Sequence, residues 1–218
     1  MMRIALAALA AALLFSTPAR SQTVHSHEHR FDDADKWAKV FDDPKRDAWQ
    51  KPHEVIAALA LAPDAVVADL GSGTGYFSAR LAHFVPKGRV YGVDTEPDMV
   101  KYLAERAKRE GLANVIAVAG SPDDARLPQK VDLVLLVDVY HHISDREKYF
   151  RKLRESLKPG GRVAVIDFRQ DADQGPPKGE RIPPARVRSE MAQAGFDLAA
   201  EHGFLPVQYF LVFRRSGK

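Results

Sequence analysis

Two rhythms of apolar and polar positions alternate along this chain. Beyond residue 60, short continuous apolar runs give way to stretches of helical spacing, and the cycle recurs five times. The runs lie at 65–70 (AVVADL), 89–94 (RVYGVD), 114–119, 131–137 (VDLVLLV) and 162–168 (RVAVIDF). Between them Tyr76, Phe77, Arg80, Leu81 and Phe84 fall on helical spacing. So do Met99, Val100, Leu103 and Ala107, which end at Gly111, and Tyr149, Phe150, Leu153 and Leu157. Thr95 with Asp98, and Ser144 with Glu147, read as capping boxes that start two of these helices. Strands this apolar are buried on both faces, which predicts a parallel sheet covered by helices on each side. The end of the chain breaks the cycle. Runs at 196–204 and 207–214 are separated only by Leu205 and Pro206, too close for a helix, and are expected to pair antiparallel.

The remaining segments are turns, a loop and two N-terminal pieces. Lys158-Pro159-Gly160-Gly161 reads as a turn. Residues 169–184 are polar, rich in Pro and Gly and without period, and are expected to form a long lid-like loop. Residues 25–52 carry Phe31, Trp37, Phe41 and Trp49 among charges and are expected to form helices over one end of the sheet. At the start, Arg3 precedes an unbroken apolar run at 4–15, followed by Ser16, Thr17 and Pro18. Twelve apolar residues are too few for a bilayer, which takes about 20. The pattern is that of a secretory signal peptide cleaved after Ala19 or Ser21, which implies export to the periplasm. An uncleaved anchor is the alternative. The expected division is a signal peptide at 1–21, a helical cap segment at 22–52 and one domain at 53–218.

Composition narrows the chemistry. The 218 residues, 45% hydrophobic and 28% charged, suit one medium domain. The chain has no cysteine, which removes disulfides, thiolate metal sites and a catalytic thiol. The formal charge is +3, and loss of Arg3 and Arg20 with the leader leaves 30 basic against 29 acidic residues. That balance offers no electrostatic case for nucleic acid or an anionic membrane as partner. His25, His27 and His29 with Glu28 could hold Zn or Cu loosely, but a solvated terminus explains them more plainly. No metal is assigned.

The strongest chemical signal is Asp69-Leu70-Gly71-Ser72-Gly73-Thr74-Gly75, placed after the first strand and before the first helix of the cycle. Open α/β sheets bind ligands in that crevice, where glycines let the backbone come close and the helix start offers free N–H groups. The spacing is G-x-G-x-G, with Tyr76 where a dinucleotide site would carry its third glycine, so a nicotinamide-dependent oxidoreductase is disfavoured.

The stretch VVADLGSGTGYFSARLA resembles the first motif of class I S-adenosylmethionine (SAM)-dependent methyltransferases, and the resemblance extends over residues 53–215. It implies an α/β, Rossmann-like three-layer sandwich with a seven-stranded, mainly parallel sheet and a C-terminal antiparallel hairpin. It also implies SAM as cofactor. Gly71, Ser72, Gly73 and Gly75 would then admit the methionine portion, with Asp69 supporting their loop. Asp94, followed by Thr95, matches the carboxylate that holds both ribose hydroxyls, and Asp138 matches a polar strand end near the methionine. Many relatives carry Gly-Asp-Ala after the third strand, with the Asp on adenine. Here Gly120-Ser121-Pro122-Asp123 stands there, so either Ser121 or Asp123 would take that role.

His141 and His142, past the fourth strand and beside Tyr140, are the candidate general bases for a small-molecule methyl acceptor. Asp138 and Asp167 end strands in the order of Mg²⁺-dependent catechol-type relatives, but Phe168 replaces their Asn. No Asn-Pro-Pro-Tyr-like motif follows the fourth strand, which argues against DNA amino-methylation. The missing cysteines argue against arsenic and cytosine-C5 methylation. Export sits uneasily with a cofactor made in the cytosol. A non-catalytic exported binder of a nucleoside or other small molecule is therefore the alternative to an enzyme.

Overall fold

Six of the seven residues of the most apolar run, Val131–Val137, are buried, as a strand covered on both faces requires. The computed structural model describes residues 33–217. The expected signal peptide and the histidine-rich segment lie outside the described residues. In chain order the elements are α1 (Ala34–Phe41), α2 (Arg46–Gln50), α3 (Pro52–Ala58), β1 (Val66–Leu70), α4 (Tyr76–Phe84), β2 (Arg89–Asp94) and α5 (Pro97–Arg109). There follow β3 (Val115–Ala119), β4 (Val131–Val137), α6 (Arg146–Leu153), β5 (Leu157–Phe168), α7 (Pro184–Gln193), β6 (Phe196–His202) and β7 (Gln208–Arg215).

The seven strands form one sheet in the order β3-β2-β1-β4-β5-β7-β6. The first five are parallel, and β7 runs antiparallel between β5 and β6. Alternate residues of each central strand feed two apolar layers. Val67, Leu133 and Leu135 pack with Phe77, Leu81 and Leu103 on one face. Ala68, Leu70, Val134 and Leu136 pack with Phe150, Leu153, Val187 and Met191 on the other. The sheet order reverses between β1 and β4. Their C-terminal ends therefore diverge into a crevice that receives the loops after β1, β2 and β4.

The architecture is the expected one, with local differences. Helix α7 was not read from the sequence. Pro184 opens it, and Val187 and Met191, one turn apart, bury its inner face. Strand β5 begins at Leu157, so the expected turn at 158–161 lies within it as an irregularity. Val131 pairs with Leu157 and Leu133 with Arg162, and Gly160 takes a φ of 77°. Asp145 rather than Ser144 caps α6, accepting from the Lys148 N–H. Helix α5 starts at Pro97 after Glu96, one residue later than a cap at Thr95 would set it. Strand β6 stops at His202, so its connection to β7 is longer than two residues. Among the described residues no helix is long and apolar enough to cross a membrane.

Candidate functional site

A cleft of about 1270 Å³ opens over the C-terminal ends of β1, β2 and β4. Its floor is the glycine loop. Gly71 adopts φ 65°, and a Cβ there would lie 2.3 Å from Val139 Cγ2, so no other residue fits. Gly75, at φ 89°, caps α4 beneath the loop, where a Cβ would meet Leu103 Cδ1 at 2.4 Å. The Ser72 N–H donates to Val93 O at 3.0 Å and the Gly75 N–H to Ser72 O at 2.8 Å, which ties the loop to β2 and closes its turn.

Asp69 and Asp94 act from the two strand ends. Asp69 is 3% exposed and accepts from Ser78 Oγ at 2.6 Å, which braces the loop against α4. Burial pushes its carboxyl up to about 7, against the pull of that hydrogen bond. Asp94 is half-buried at the end of β2. It accepts the Gly73 N–H at 2.8 Å through Oδ2 and the Glu96 N–H at 3.0 Å through Oδ1. Burial raises its carboxyl, and the backbone donors of Glu96, Gly73 and Thr95 work against that rise. Each carboxylate oxygen keeps acceptor capacity for a vicinal diol. Ser72 Oγ and Thr74 Oγ1 are buried in the loop with no hydrogen-bond partner among the described residues. A glycine-walled cradle, two unused hydroxyls and a clamped carboxylate together fit a ligand with a nucleoside diol and a polar tail. SAM is of that kind.

The rest of the cofactor-facing set divides. Thr95 and Ser121 line the same cleft. Ser121 Oγ donates to Asp123 Oδ1 at 2.7 Å, and Ser121 pairs with Asp124 in a short bridge. Asp123 and Gly75 are not among the cleft-lining residues, whereas Pro122, Asp124 and Ala125 are.

Asp138 takes φ 60°, an unusual conformation for a residue with a side chain, at the end of β4. It sits in a closed ring of polar contacts that the sequence did not disclose. Arg46 Nε and Nη2 donate to Gln50 Oε1 at 3.3 and 3.2 Å, and Gln50 Nε2 donates to Gln208 Oε1 at 2.6 Å. Gln208 Nε2 donates to Asp138 Oδ1 at 2.5 Å, and Asp138 Oδ2 faces Arg46 Nη2 at 3.6 Å. Both amide orientations follow from the guanidinium at one end and the carboxylate at the other. Burial raises the Asp138 carboxyl, and Arg46 opposes the rise. The ring binds the cap helix α2 to the sheet. Further contacts hold α2 against α4: Tyr76 OH donates to Asp47 Oδ1, and its ring lies 4.2 Å from the Arg46 guanidinium.

His141 and His142 occupy a short 3-10 turn after β4. His141 Nδ1 lies 2.8 Å from Asp167 Oδ2 and 3.0 Å from Oδ1, and its backbone N–H reaches the same carboxylate at 3.3 Å. Asp167 is fully buried, and its Oδ1 also accepts the Phe168 N–H at 2.8 Å. Burial works against charge on His141, but Asp167, with help from Asp138 and Glu180, outweighs it and lifts the imidazole above its ordinary range. An ionised Asp167 selects the tautomer with the proton on Nδ1 and leaves Nε2 as acceptor. His142 is exposed, with its ring centroid 4.1 Å from that of His141. The two carboxylates considered for Mg²⁺ are each engaged by protein groups, Asp138 by Gln208 and Asp167 by His141.

Arg181 is a second residue the sequence left unmarked. It is 7% exposed, and its guanidinium donates to the carbonyls of Arg169, Gln170, Ala172, Gln174 and Pro176 at 2.8 to 3.3 Å. The loop expected to act as a lid is thus tied to its own backbone, and Gly175, Pro176, Pro177 and Glu180 from it line the cleft. Asp167's partnership with His141 had a readable signal. Val137 pairs with Ile166, so the next residues, Asp138 and Asp167, end neighbouring parallel strands side by side. Arg46, Gln50, Gln208 and Arg181 had none.

Known proteins share this architecture. Residues 61–201 match the family model described as a methyltransferase domain. The chain is similar to the protein-L-isoaspartate O-methyltransferase of Aeropyrum pernix, 33% identical over 148 residues, covering 65% of this chain and 54% of that protein. It is also similar to the trans-aconitate 2-methyltransferase of Rhodopseudomonas palustris, 27% identical over 174 residues, 75% of this chain and 64% of that one. The chain thus spans between half and two thirds of the length of these two relatives. A solved SAM-dependent methyltransferase from Aquifex aeolicus superposes with a TM-score of 0.76 at 27% identity, covering 83% of this chain and 97% of that one. The family match takes in more than half of the sequence and includes the glycine loop, Asp94, Asp138 and both histidines, and on that ground the chain belongs to the methyltransferase domain family.

Proposed function

We propose that the protein transfers a methyl group from SAM to a small-molecule acceptor. The observation that carries this reading is the clamp at the end of β2, where Asp94 holds the Gly73 and Glu96 amides beside the glycine cradle. When bound, SAM supplies an electrophilic methyl on its sulfonium. The chain's own residues supply the rest. Gly71, Ser72 and Gly73 would receive the amino-acid end, Asp94 would accept from the ribose hydroxyls, and Thr95 and Ser121 would flank the nucleoside. Asp138, held by Gln208, would sit near the methionine end. His141 would take the acceptor's proton at Nε2, with Asp167 fixing its tautomer and orientation.

The test is calorimetric titration of SAM and of S-adenosylhomocysteine. Asp94→Ala should weaken both by about 1.5–3 kcal/mol, or roughly 10- to 150-fold in Kd, the scale of charge-assisted hydrogen bonds lost from a half-buried site. Asp94→Asn, which keeps the shape and one acceptor, should fall between. Affinity unchanged in Asp94→Ala would remove the ribose assignment. A folded wild-type sample that binds neither compound would remove the methyltransferase reading.

We also infer export, on the apolar run at 4–15 and the small residues that follow it. Intact mass spectrometry of the protein recovered from periplasm should show a chain beginning at residue 20 or 22. A full-length mass in the cytosolic fraction would contradict this.

A further inference from the structure

We propose that the acceptor is a flat, uncharged aromatic alcohol, seated between the Trp49–Phe168 wall and the Pro176–Pro177 segment with its hydroxyl on His141. This rests on the methyl-transfer reading and names the substrate class of the same cleft. Trp49 and Phe168 pack with ring centroids 5.7 Å apart and an interplanar angle of 40°. Both line the cleft, as does His141. Gly175 takes φ 104° and lies so close to the Phe168 ring that a Cβ would come within 2.6 Å of it. The ring is therefore fixed between Trp49 and the loop backbone, and Arg181 holds that backbone in place. The wall is preformed, which favours a rigid, planar ligand over a flexible one.

Charge selects further. Among the described residues Arg46 is the only Lys or Arg that lines the cleft. It is committed to Phe41 O at 3.0 Å and to Gln50, with Asp138 facing it at 3.6 Å. A carboxylate acceptor would meet no uncommitted guanidinium there. The base selects as well. A phenolic hydroxyl titrates near 10, within reach of an imidazole aided by a carboxylate, while an aliphatic alcohol is far less acidic. In the step, the hydroxyl oxygen bonds to the methyl carbon as the carbon–sulfur bond breaks and its electron pair returns to sulfur. The O–H proton passes to His141 Nε2 and then to water.

The experiment titrates 1-naphthol and, separately, trans-aconitate into the protein with and without S-adenosylhomocysteine. It then measures methyl ether formation from radiolabelled SAM. Naphthol should bind and be methylated, and trans-aconitate should do neither. Phe168→Ala and, as a variant at a more exposed position, Trp49→Ala should each raise the naphthol Kd at least tenfold and leave the SAM Kd within twofold. If SAM binds but naphthol neither binds nor reacts, or if trans-aconitate reacts instead, the aromatic-alcohol proposal fails and methyl transfer stands. If SAM does not bind, methyl transfer fails and the substrate assignment goes with it, even where naphthol still binds.

Discussion

Replacing His141 by Gln should lower kcat by about 10²- to 10⁴-fold, the usual worth of a positioned general base, and leave the SAM Kd within about twofold. The asymmetry follows from position. His141 lies past β4 and engages Asp167, whereas the glycine loop and the Asp94 clamp, which carry most of the SAM contacts, lie at the ends of β1 and β2. The exposed His142 should tolerate the same change with a much smaller loss. The pH dependence is fixed by sign. A base must be neutral to accept a proton, and Asp167 holds His141 above its ordinary range. Activity should therefore rise with pH through a limb lying above the ordinary histidine value of about 6.5. Asp167→Asn removes the negative charge but keeps an acceptor for Nδ1–H, so that limb should move to lower pH. Linkage gives the matching stability effect. The protonated pair stabilises the fold fully below the unfolded pKa, and that contribution is lost as pH rises through the folded one. A limb that stays in place in Asp167→Asn, or a His141→Gln enzyme of normal kcat, would assign the proton to another group.

Arg181→Ala should destabilise the fold by about 3 kcal/mol, within a range of roughly 2–5, because a buried guanidinium leaves and several carbonyls lose their donor together. Five backbone carbonyls converge on this one side chain, and the loop has little apolar anchoring beyond Ala172 and Ile182. Arg181→Lys should recover only part of the loss, since an ammonium offers three donors from a point and cannot span a fork of five. Urea denaturation gives the free energy, and trypsin gives the location. Lys178 is exposed within the loop, and cleavage there should quicken in Arg181→Ala. A change under about 0.5 kcal/mol with unaltered cleavage would mean that the loop holds its shape without the arginine.

How much of this was legible beforehand depends on how far apart the interacting residues lie. The strand-and-helix cycle was readable because burial on both faces leaves continuous apolar runs and helices keep their own period. The glycine loop was readable because its function and its strained backbone are carried by seven consecutive residues, 69–75, and Asp94 because it ends the next strand. Boundaries slipped where two local signals competed. Asp145 displaced Ser144 as a cap, and Gly160 bent a strand instead of ending it. Helix α7 was passed over because its charges hide a stripe of only two buried residues after the first turn, Val187 and Met191. The sequence by itself determined the sheet, the helices between its parallel strands and the glycine loop that floors the crevice. Tertiary structure alone decided what stands around the reacting end. Gln50 and Gln208 are 158 residues apart, and they meet only because β7 pairs with β5 in the register that sets Gln208 opposite Phe168. The same pairing sets Tyr209 opposite Asp167. A hydrogen bond between distant side chains depends on strand register and helix placement to within an ångström. No local period or composition records either, so the ring at Asp138 and the Arg181 staple become visible only in the folded chain.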